Sequence, residues 1–584
     1  MSHFGPILFG DGVTFRLWAP AARDVALVTD DLRTMEFRGD GWFELAVSGV
    51  EPGSRYKFRI DGKTDVPDPA SHFQPEDVWG PSQIVDHRFE WRTLGWRGRP
   101  WHECALLELH VGAFTPQGTF RAAIEKLDHV VDTGFTAIEL MPLADFSGRW
   151  NWGYDGVLWF APDSSYGTPE DLKALVDAAH ERGLMVFLDV VYNHFGPEGN
   201  YLGLYAPSFF TVANTPWGNA IDYRVPQARA FAIENALYWL SEYRFDGLRL
   251  DAVHAISEPG IPPLLTELSE AVGKFAAASG RAIHLVLEND NNQANLLDPK
   301  KNPPDGRYRA QWNDDYHHAW HVLLTGETSG YYIDYRNPQR HLARTLSSGF
   351  AYQGEMSEHR GGVRRGEPSS ELPPMAFVSF LQNHDQVGNR PRGDRLSVLT
   401  AGAPLEAALA VTLLSPMPPM MFMGEEWDAR EPFPFFCDFR GELAEAIRAG
   451  RKAEFVESYT NAVGGIPDPL VKETFYSAKL DWSARSVLEH RRRLDLVCCL
   501  LALRKGTIVP LIEDLQVGHA RARSDRGLLF AKWQLRTELL VLVANLSEGE
   551  LPRPTDVPLT VPIWGGLPPT TLRPWSVYWG LGRP

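Results

Sequence analysis

The feature that most constrains this chain is a set of four short apolar runs that each end in acidic, basic or amide side chains. They are VFLDVVYNH with Asp189, Asn193 and His194; GLRLDAVH with Arg249, Asp251 and His254; HLVLEND with Glu288; and FVSFLQNHD with Asn383, His384 and Asp385. Apolar runs of this length, separated by helical stretches, read as buried parallel strands in repeated βα units. Strand candidates fall at 105–110, 137–141, 185–189, 247–251, 284–288, 350–354, 376–381 and 419–423. Eight such units predict a closed (β/α)8 TIM barrel, in which the C-terminal ends of the strands carry the chemistry.

The junction before Asp189 shows how local signals support this reading. Thr168 is placed to cap a helix, Pro169 to take its first position, and Glu170 and Asp171 to complement its positive end. Leu172, Leu175, Val176 and Ala179 form an apolar stripe, and Gly183 stops the helix just before the strand.

A chain of 584 residues exceeds what a single core fills, so further domains are expected. Val13, Phe15 and Leu17, then Phe43, Leu45 and Val47, then Tyr56, Phe58 and Ile60 alternate with period two, which predicts a β-sandwich over 1–90. The segment 66–82 is rich in proline and polar residues and reads as a linker. The barrel is expected over 91–490. A helical stretch near 494–503 followed by alternating segments at 528–533 and 539–543 predicts a C-terminal β-sheet domain over 491–584.

The net charge of −17 opposes binding to a polyanion, so no nucleic-acid partner is expected. Cys104, Cys437, Cys498 and Cys499 are too few for a disulfide framework and read as reduced, buried thiols. The first twenty residues carry neither a basic segment followed by a long apolar run nor a membrane-spanning length of apolar residues. A cytoplasmic location without a membrane partner is therefore expected.

Asp251 and Glu288 end the predicted fourth and fifth strands and would face each other across the barrel rim. Such a pair can break a glycosidic bond, and in retaining enzymes the two carboxyls lie roughly 5 to 5.5 Å apart. Arg249, two residues before Asp251 on the same strand face, can hold that carboxylate ionised. Negative neighbours in a partly dry site would keep the proton on Glu288. Asp385 reads as a third carboxylate that grips ring hydroxyls, with His194 and His384 donating to the same sugar. Trp150, Trp152 and Tyr154 offer an aromatic platform, Tyr154 beneath the reacting ring. Trp217, Trp312, Tyr316, Tyr331, Tyr332 and Trp427 are further candidates for lining subsites or for the core.

Taken singly, each residue has a plainer reading. An Asp at a strand end commonly caps a turn, Arg249 with Asp251 can be a structural ion pair, and a lone His is often a satisfied core group. Their convergence at four strand ends is what favours a site. The adjacent His317 and His318 point apart on a helix and do not form the paired metal ligand of an i, i+4 spacing. Neither a metal nor a cofactor is expected, and no phosphate-cradling glycine loop or GxSxG elbow is found.

DVVYNH, GLRLDAVH, the Glu of LEND and QNHD resemble the four conserved regions of the α-amylase superfamily of glycoside hydrolases. The resemblance implies a retaining double displacement with Asp251 as nucleophile, Glu288 as general acid/base and Asp385 as transition-state stabiliser, assisted by Arg249. The expected substrate-binding set is Tyr154, Asp189, Asn193, His194, His254, His384, Trp152 and Asn383. The longer stretches GLRLDAVHAI, LVLENDNNQANLL, AQWNDDYHHAWHVLLTGE, FLQNHDQVGNRPRGDRL and VPDPASHFQP are similar to the trehalose-releasing members of that superfamily. That similarity implies cleavage of the α-1,4 bond next to the terminal trehalose of maltooligosyltrehalose, related α-1,4-glucans as ligands, and action beside a maltooligosyltrehalose synthase. Where α-amylases carry Lys then His after the nucleophile, this chain has His254 and Ala255, which implies a different sugar on the leaving side. A branching or debranching enzyme, or an inactive α-glucan-binding protein, are the alternatives.

Overall fold

The structure is a computed structural model that describes residues 4–215, 218–256, 264–298, 306–400, 402–458 and 465–583. Eight parallel strands form its centre: β1 Leu106–Leu109, β2 Ala137–Leu140, β3 Met185–Val190, β4 Gly247–Leu250, β5 His284–Leu287, β6 Ala310–Trp312, β7 Phe377–Val378 and β8 Met420–Phe422. Each strand pairs with the next and β1 with β8. The ring closes where Ser379, just past β7, bridges Pro419, and the Met420 N–H donates to the Ser379 carbonyl at 3.0 Å. Every residue of these strands is buried, which is why they read as unbroken apolar runs rather than as alternating ones.

Seven of the eight predicted barrel strands lie where the pattern puts them, but the sixth does not. The segment 350–354 is irregular, and β6 is the shorter Ala310–Trp312. The Asp315 carboxylate explains the loop: it accepts the Ala351 and Tyr352 N–H groups at 2.7 and 3.0 Å and so takes backbone donors that a strand would give to a neighbour. The helix before β3 forms as read, over Pro169–Glu181. Thr168 and Asp171 close a reciprocal capping box, the apolar stripe is buried, and Gly183 has φ 75°.

Ahead of the barrel stand two antiparallel sheets. One joins Ile7–Phe9, Gly12–Trp18, Trp42–Ser48 and Glu36–Gly39; the other joins Leu32–Thr34, Val25–Val28, Arg55–Ile60 and Thr64–Val66. Val13, Phe15, Val25, Leu27 and Phe58 fill the space between them. The segment 66–82 is a packed wedge, not a loose linker. Asp68, Ser71, His72 and Gln74 are buried, Tyr56 donates to Asp68 at 2.8 Å, and the His72 ring stacks on Tyr238 of a barrel helix. Its prolines fix an irregular path, and its polar groups bond one another instead of water.

After the barrel, the helix Leu488–Leu503 leads to an antiparallel sheet of Arg521–Asp525, Leu528–Gln534, Leu539–Asn545, Ser576–Gly582 and Thr560–Trp564. Trp533 and Trp579 stack at 5.6 Å and fasten this sheet to the barrel, donating to the carbonyls of Leu346 and Ala410. Of the four thiols, Cys104 and Cys437 are buried, whereas Cys499 is exposed on the solvent side of its helix, contrary to the expectation of four buried thiols. Among the described residues no helix is long and apolar enough to cross a membrane.

Gly247 opens β4 directly opposite Phe187 of β3, and a Cβ there would overlap the Phe187 ring and the His284 carbonyl. Gly247→Ala is therefore expected to destabilise the barrel by about 1–3 kcal/mol through overpacking. The measurement is the thermal unfolding midpoint, and an unchanged midpoint contradicts this account.

Candidate active site

The strand ends surround a cavity of about 520 Å³ at the C-terminal face of the barrel. Asp251 and Glu288 both line it. One cluster in its wall is Trp152, Tyr154 and His384, with the His384 ring stacked on Tyr154 at 5.0 Å and edge-on to Trp152 at 5.5 Å. A second cluster is His254, Asp290 and Arg365.

Arg249 is the centre of the arrangement. It lies on β4, 2% exposed, and its Nη1 donates to Asp189 at 2.6 Å and to Asp251 at 2.8 Å, while Nη2 reaches Glu288 at 3.2 Å. Its guanidinium also lies over the Trp312 ring at 4.1 Å. Burial works against the charge, but the carboxylates of Asp189, Asp251 and Glu288 outweigh it and hold the group protonated. Strand pleating explains the contact with Asp251, since residues two apart share a face.

The two carboxyls meet different partners. Asp251 accepts from Arg249 on one oxygen and from Asn193 Nδ2 at 2.8 Å on the other, an environment of donors that suits a carboxylate. Glu288 accepts the Ala252 N–H at 2.7 Å besides the longer contact to Arg249. Burial pushes the Glu288 carboxyl well above its usual range; Asp251 and Asp314 add to this, and Arg249 only partly opposes it. Ala252 has φ 41°, in the left-handed region that a non-glycine residue occupies at a cost. That turn, immediately after Asp251, directs the amide at Glu288.

The remaining groups fall into supports and wall. Asp189 is buried beneath the cavity, where it accepts from Tyr154 Oη at 2.6 Å and from Arg249, and burial raises it to about 6. Neither Asp189 nor Asn193, both expected in the substrate-binding set, is among the residues that line the cavity; each bonds a group that does, Asp189 to Arg249 and Asn193 to Asp251. Trp152, Tyr154, His194, His254, Asn383, His384 and Asp385 do line it. Asn383 caps the short helix His384–Gly388, accepting the Asp385 and Gln386 N–H groups, and Asp385 is exposed toward the opening. Burial lowers the affinity of His194 and His254 for a proton. His384 goes the other way: burial opposes its charge, but Glu108 overrides this by accepting from Nδ1 at 2.5 Å and from the backbone N–H at 3.0 Å.

Among the other aromatics, Trp312 and Tyr331 line the cavity, while Tyr316 and Trp427 are fully buried core residues and Tyr332 is buried against His321. Trp150 packs on Phe475 outside the cavity, and Trp217 lies outside the described residues. The sequence reading missed Glu108, Asp290, Asp314 and Arg365. Glu108 could have been found as the charged residue inside the otherwise apolar run ALLEL; Arg365 carries no local signal, because it arrives from a loop far along the chain.

Comparison with known proteins agrees with this geometry. Residues 82–204 match the alpha amylase catalytic domain family, and residues 3–75 match carbohydrate-binding module 48, the isoamylase N-terminal domain. A malto-oligosyltrehalose trehalohydrolase from Deinococcus radiodurans is 42% identical over 95% of this chain and 91% of its own length. A second, from Saccharolobus solfataricus, is 39% identical over 85% of this chain and 88% of its own. The chain belongs to the malto-oligosyltrehalose trehalohydrolase family. A crystal structure of a Salmonella typhimurium protein assigned as an alpha amylase superposes with a TM-score of 0.95 at 43% identity, covering 100% of both chains. A pullulanase from Paenibacillus barengoltzii, at 18% identity and a TM-score of 0.72 over 100% of this chain and 94% of its own, shares the fold. Asp189 is joined to the cavity-lining groups through Arg249 and Tyr154. Asp189→Asn is accordingly expected to lower kcat by about 100-fold through misplacement of reacting groups, with little change in KM. A KM effect equal to the kcat effect contradicts this.

Proposed function

We propose that this chain is a retaining glycoside hydrolase that cleaves the α-1,4 bond next to the terminal trehalose of maltooligosyltrehalose, releasing trehalose and a maltooligosaccharide. The observation that carries the reaction type is one buried guanidinium gripping two unlike carboxyls, Asp251 and Glu288. Both carboxyls accept from that guanidinium and line the same cavity, so one can attack a sugar ring while the other serves its leaving oxygen, the pairing a double displacement uses.

In the first half-reaction, an Asp251 oxygen attacks the anomeric carbon as the bond to the leaving oxygen breaks, and Glu288 gives that oxygen its proton. Trehalose departs and a glycosyl ester on Asp251 remains. In the second, Glu288, now ionised, takes a proton from a water that attacks the same carbon and frees Asp251. Asp385 and His384 hold hydroxyls of the reacting ring over Tyr154, and Arg249 keeps both carboxyls in place throughout. His254 faces the leaving side. Protein side chains and water carry each step, so neither a metal nor a cofactor is called for.

The substrate rests on the relatives' shared name and on near full-length similarity. We place the enzyme in the cytoplasm, after a maltooligosyltrehalose synthase that makes its substrate, and take residues 1–90, 91–490 and 491–584 as glycan-module, catalytic and C-terminal units.

Incubation with maltooligosyltrehalose is expected to yield free trehalose faster than maltoheptaose yields maltose; new α-1,6 branches, or no trehalose, would overturn the assignment. Asp251→Asn and Glu288→Gln each lose several orders of magnitude in turnover, given the roughly 8–23 kcal/mol that enzymes remove from barriers. Because the Glu288 carboxyl is raised, its acid form persists to higher pH than an ordinary glutamate's, and activity falls as pH rises through the raised value. That basic limb of kcat/KM should lie well above pH 4.5, the ordinary value for Glu. His254→Lys should shift the product ratio away from trehalose, and an unchanged ratio would remove His254 from specificity.

A further inference from the structure

The stretch AQWNDDYHHAW supplies two adjacent carboxylates with opposite surroundings. Asp315 is fully buried and saturated: it accepts from Arg365 Nη1 at 2.8 Å, Ala351 N at 2.7 Å, Tyr352 N at 3.0 Å, Asn292 Nδ2 at 3.0 Å and the Tyr335 hydroxyl. Five donors on one carboxylate make it an anchor for the wall. Asp314, at the first position of the helix Asp314–Thr325, lies in the cavity beside Glu288, Asp290 and Asp385. Among the described residues its carboxyl has one hydrogen bond, a long 3.4 Å contact from Gln386 Nε2.

A carboxyl has room for about four hydrogen bonds, and the half-buried Asp314 turns most of that capacity toward the open cavity. The direct reading is that a ligand completes the set. Sugar hydroxyls are the donors this site would receive, and a carboxyl that burial raises to about 7 can accept from one hydroxyl and donate to another near neutral pH. The position says which sugar. Glu288 delivers its proton to the departing oxygen, and Asp290, bonded to His254 and Arg365, continues the wall on that side. A group next to both faces the leaving disaccharide.

We propose that Asp314 is a specificity-determining residue that binds hydroxyls of the first glucose unit of the departing trehalose. The proposal rests on the reaction set out above and deepens it. It sets Asp314 apart from Asp251 and Asp385, which act on the ring that stays on the enzyme, and from Glu288, which acts on the oxygen between the two sugars.

The test compares two substrates on wild type, Asp314→Asn and Asp314→Ser: maltooligosyltrehalose, and maltotetraosyl α-fluoride, whose leaving group has no hydroxyls and needs no proton. Wild type must release trehalose from the first, and failure there sinks the function assignment without bearing on Asp314. Given that activity, both variants are expected to lose about 100-fold in kcat/KM on maltooligosyltrehalose, the scale of one lost polar contact in a site built for it. They should retain fluoride hydrolysis within about threefold of wild type, a margin far below that loss. Retained fluoride turnover also shows that the fold is intact. Equal losses on both substrates in variants that melt like wild type, no loss on either, or a loss on maltooligosyltrehalose that disappears at low pH, where Glu288 holds its proton without help from Asp314, overturn the proposal.

Discussion

Everything at the mouth of this barrel is arranged around one positive charge that cannot reach water. Arg249 is buried, and a guanidinium in that position must be paired or the fold bears the full cost of desolvating it; removing one partner of such a network typically costs 3–5 kcal/mol. Its partners come from three successive strand ends, Asp189 on β3, Asp251 after β4 and Glu288 after β5, with the Trp312 ring of β6 against its face. Satisfying the charge therefore fixes the relative positions of the two carboxyls that matter most.

The same network makes those carboxyls differ. Asp251 receives donors on both oxygens, whereas Glu288 receives one strained backbone amide and the long arm of the guanidinium, with Asp314 nearby. One side chain thus has donors on both oxygens and the other holds its proton to higher pH than an ordinary glutamate, the unlike pair a double displacement needs. The left-handed Ala252 stores local strain at this point, and the ladder bonds of β4 and β5 on either side hold it there.

Farther out, the wall depends on a buried anchor, Asp315, that does not itself line the cavity. Asp315 binds Arg365 and the backbone at Ala351 and Tyr352; Arg365 in turn binds Asp290, whose N–H donates to His254 at 3.2 Å. A chain of four residues so connects the core to the group expected to meet the leaving sugar. The N-terminal sandwich and the C-terminal sheet brace the barrel from outside, the first through His72 against Tyr238 and the second through Trp533 and Trp579.

Much of this was legible in the order of residues. Apolar runs of strand length ending in Asp, Arg, Glu and His placed seven barrel strands and the residues at their tips, because parallel strands are buried on both faces and so write an unbroken apolar signal. Pleating told that Arg249 and Asp251 share a face, and capping chemistry located the helix from Pro169. What the order could not decide was which of two weak runs became the sixth strand, since the outcome depends on a carboxylate, Asp315, that captures backbone donors from thirty-six residues away. Nor could it tell that Asp189 and Asn193 bond groups that line the cavity while Asp314 itself lines it. Neighbouring residues on a turn or helix start point in different directions, and only the packing around them decides which direction is the cavity and which is the core.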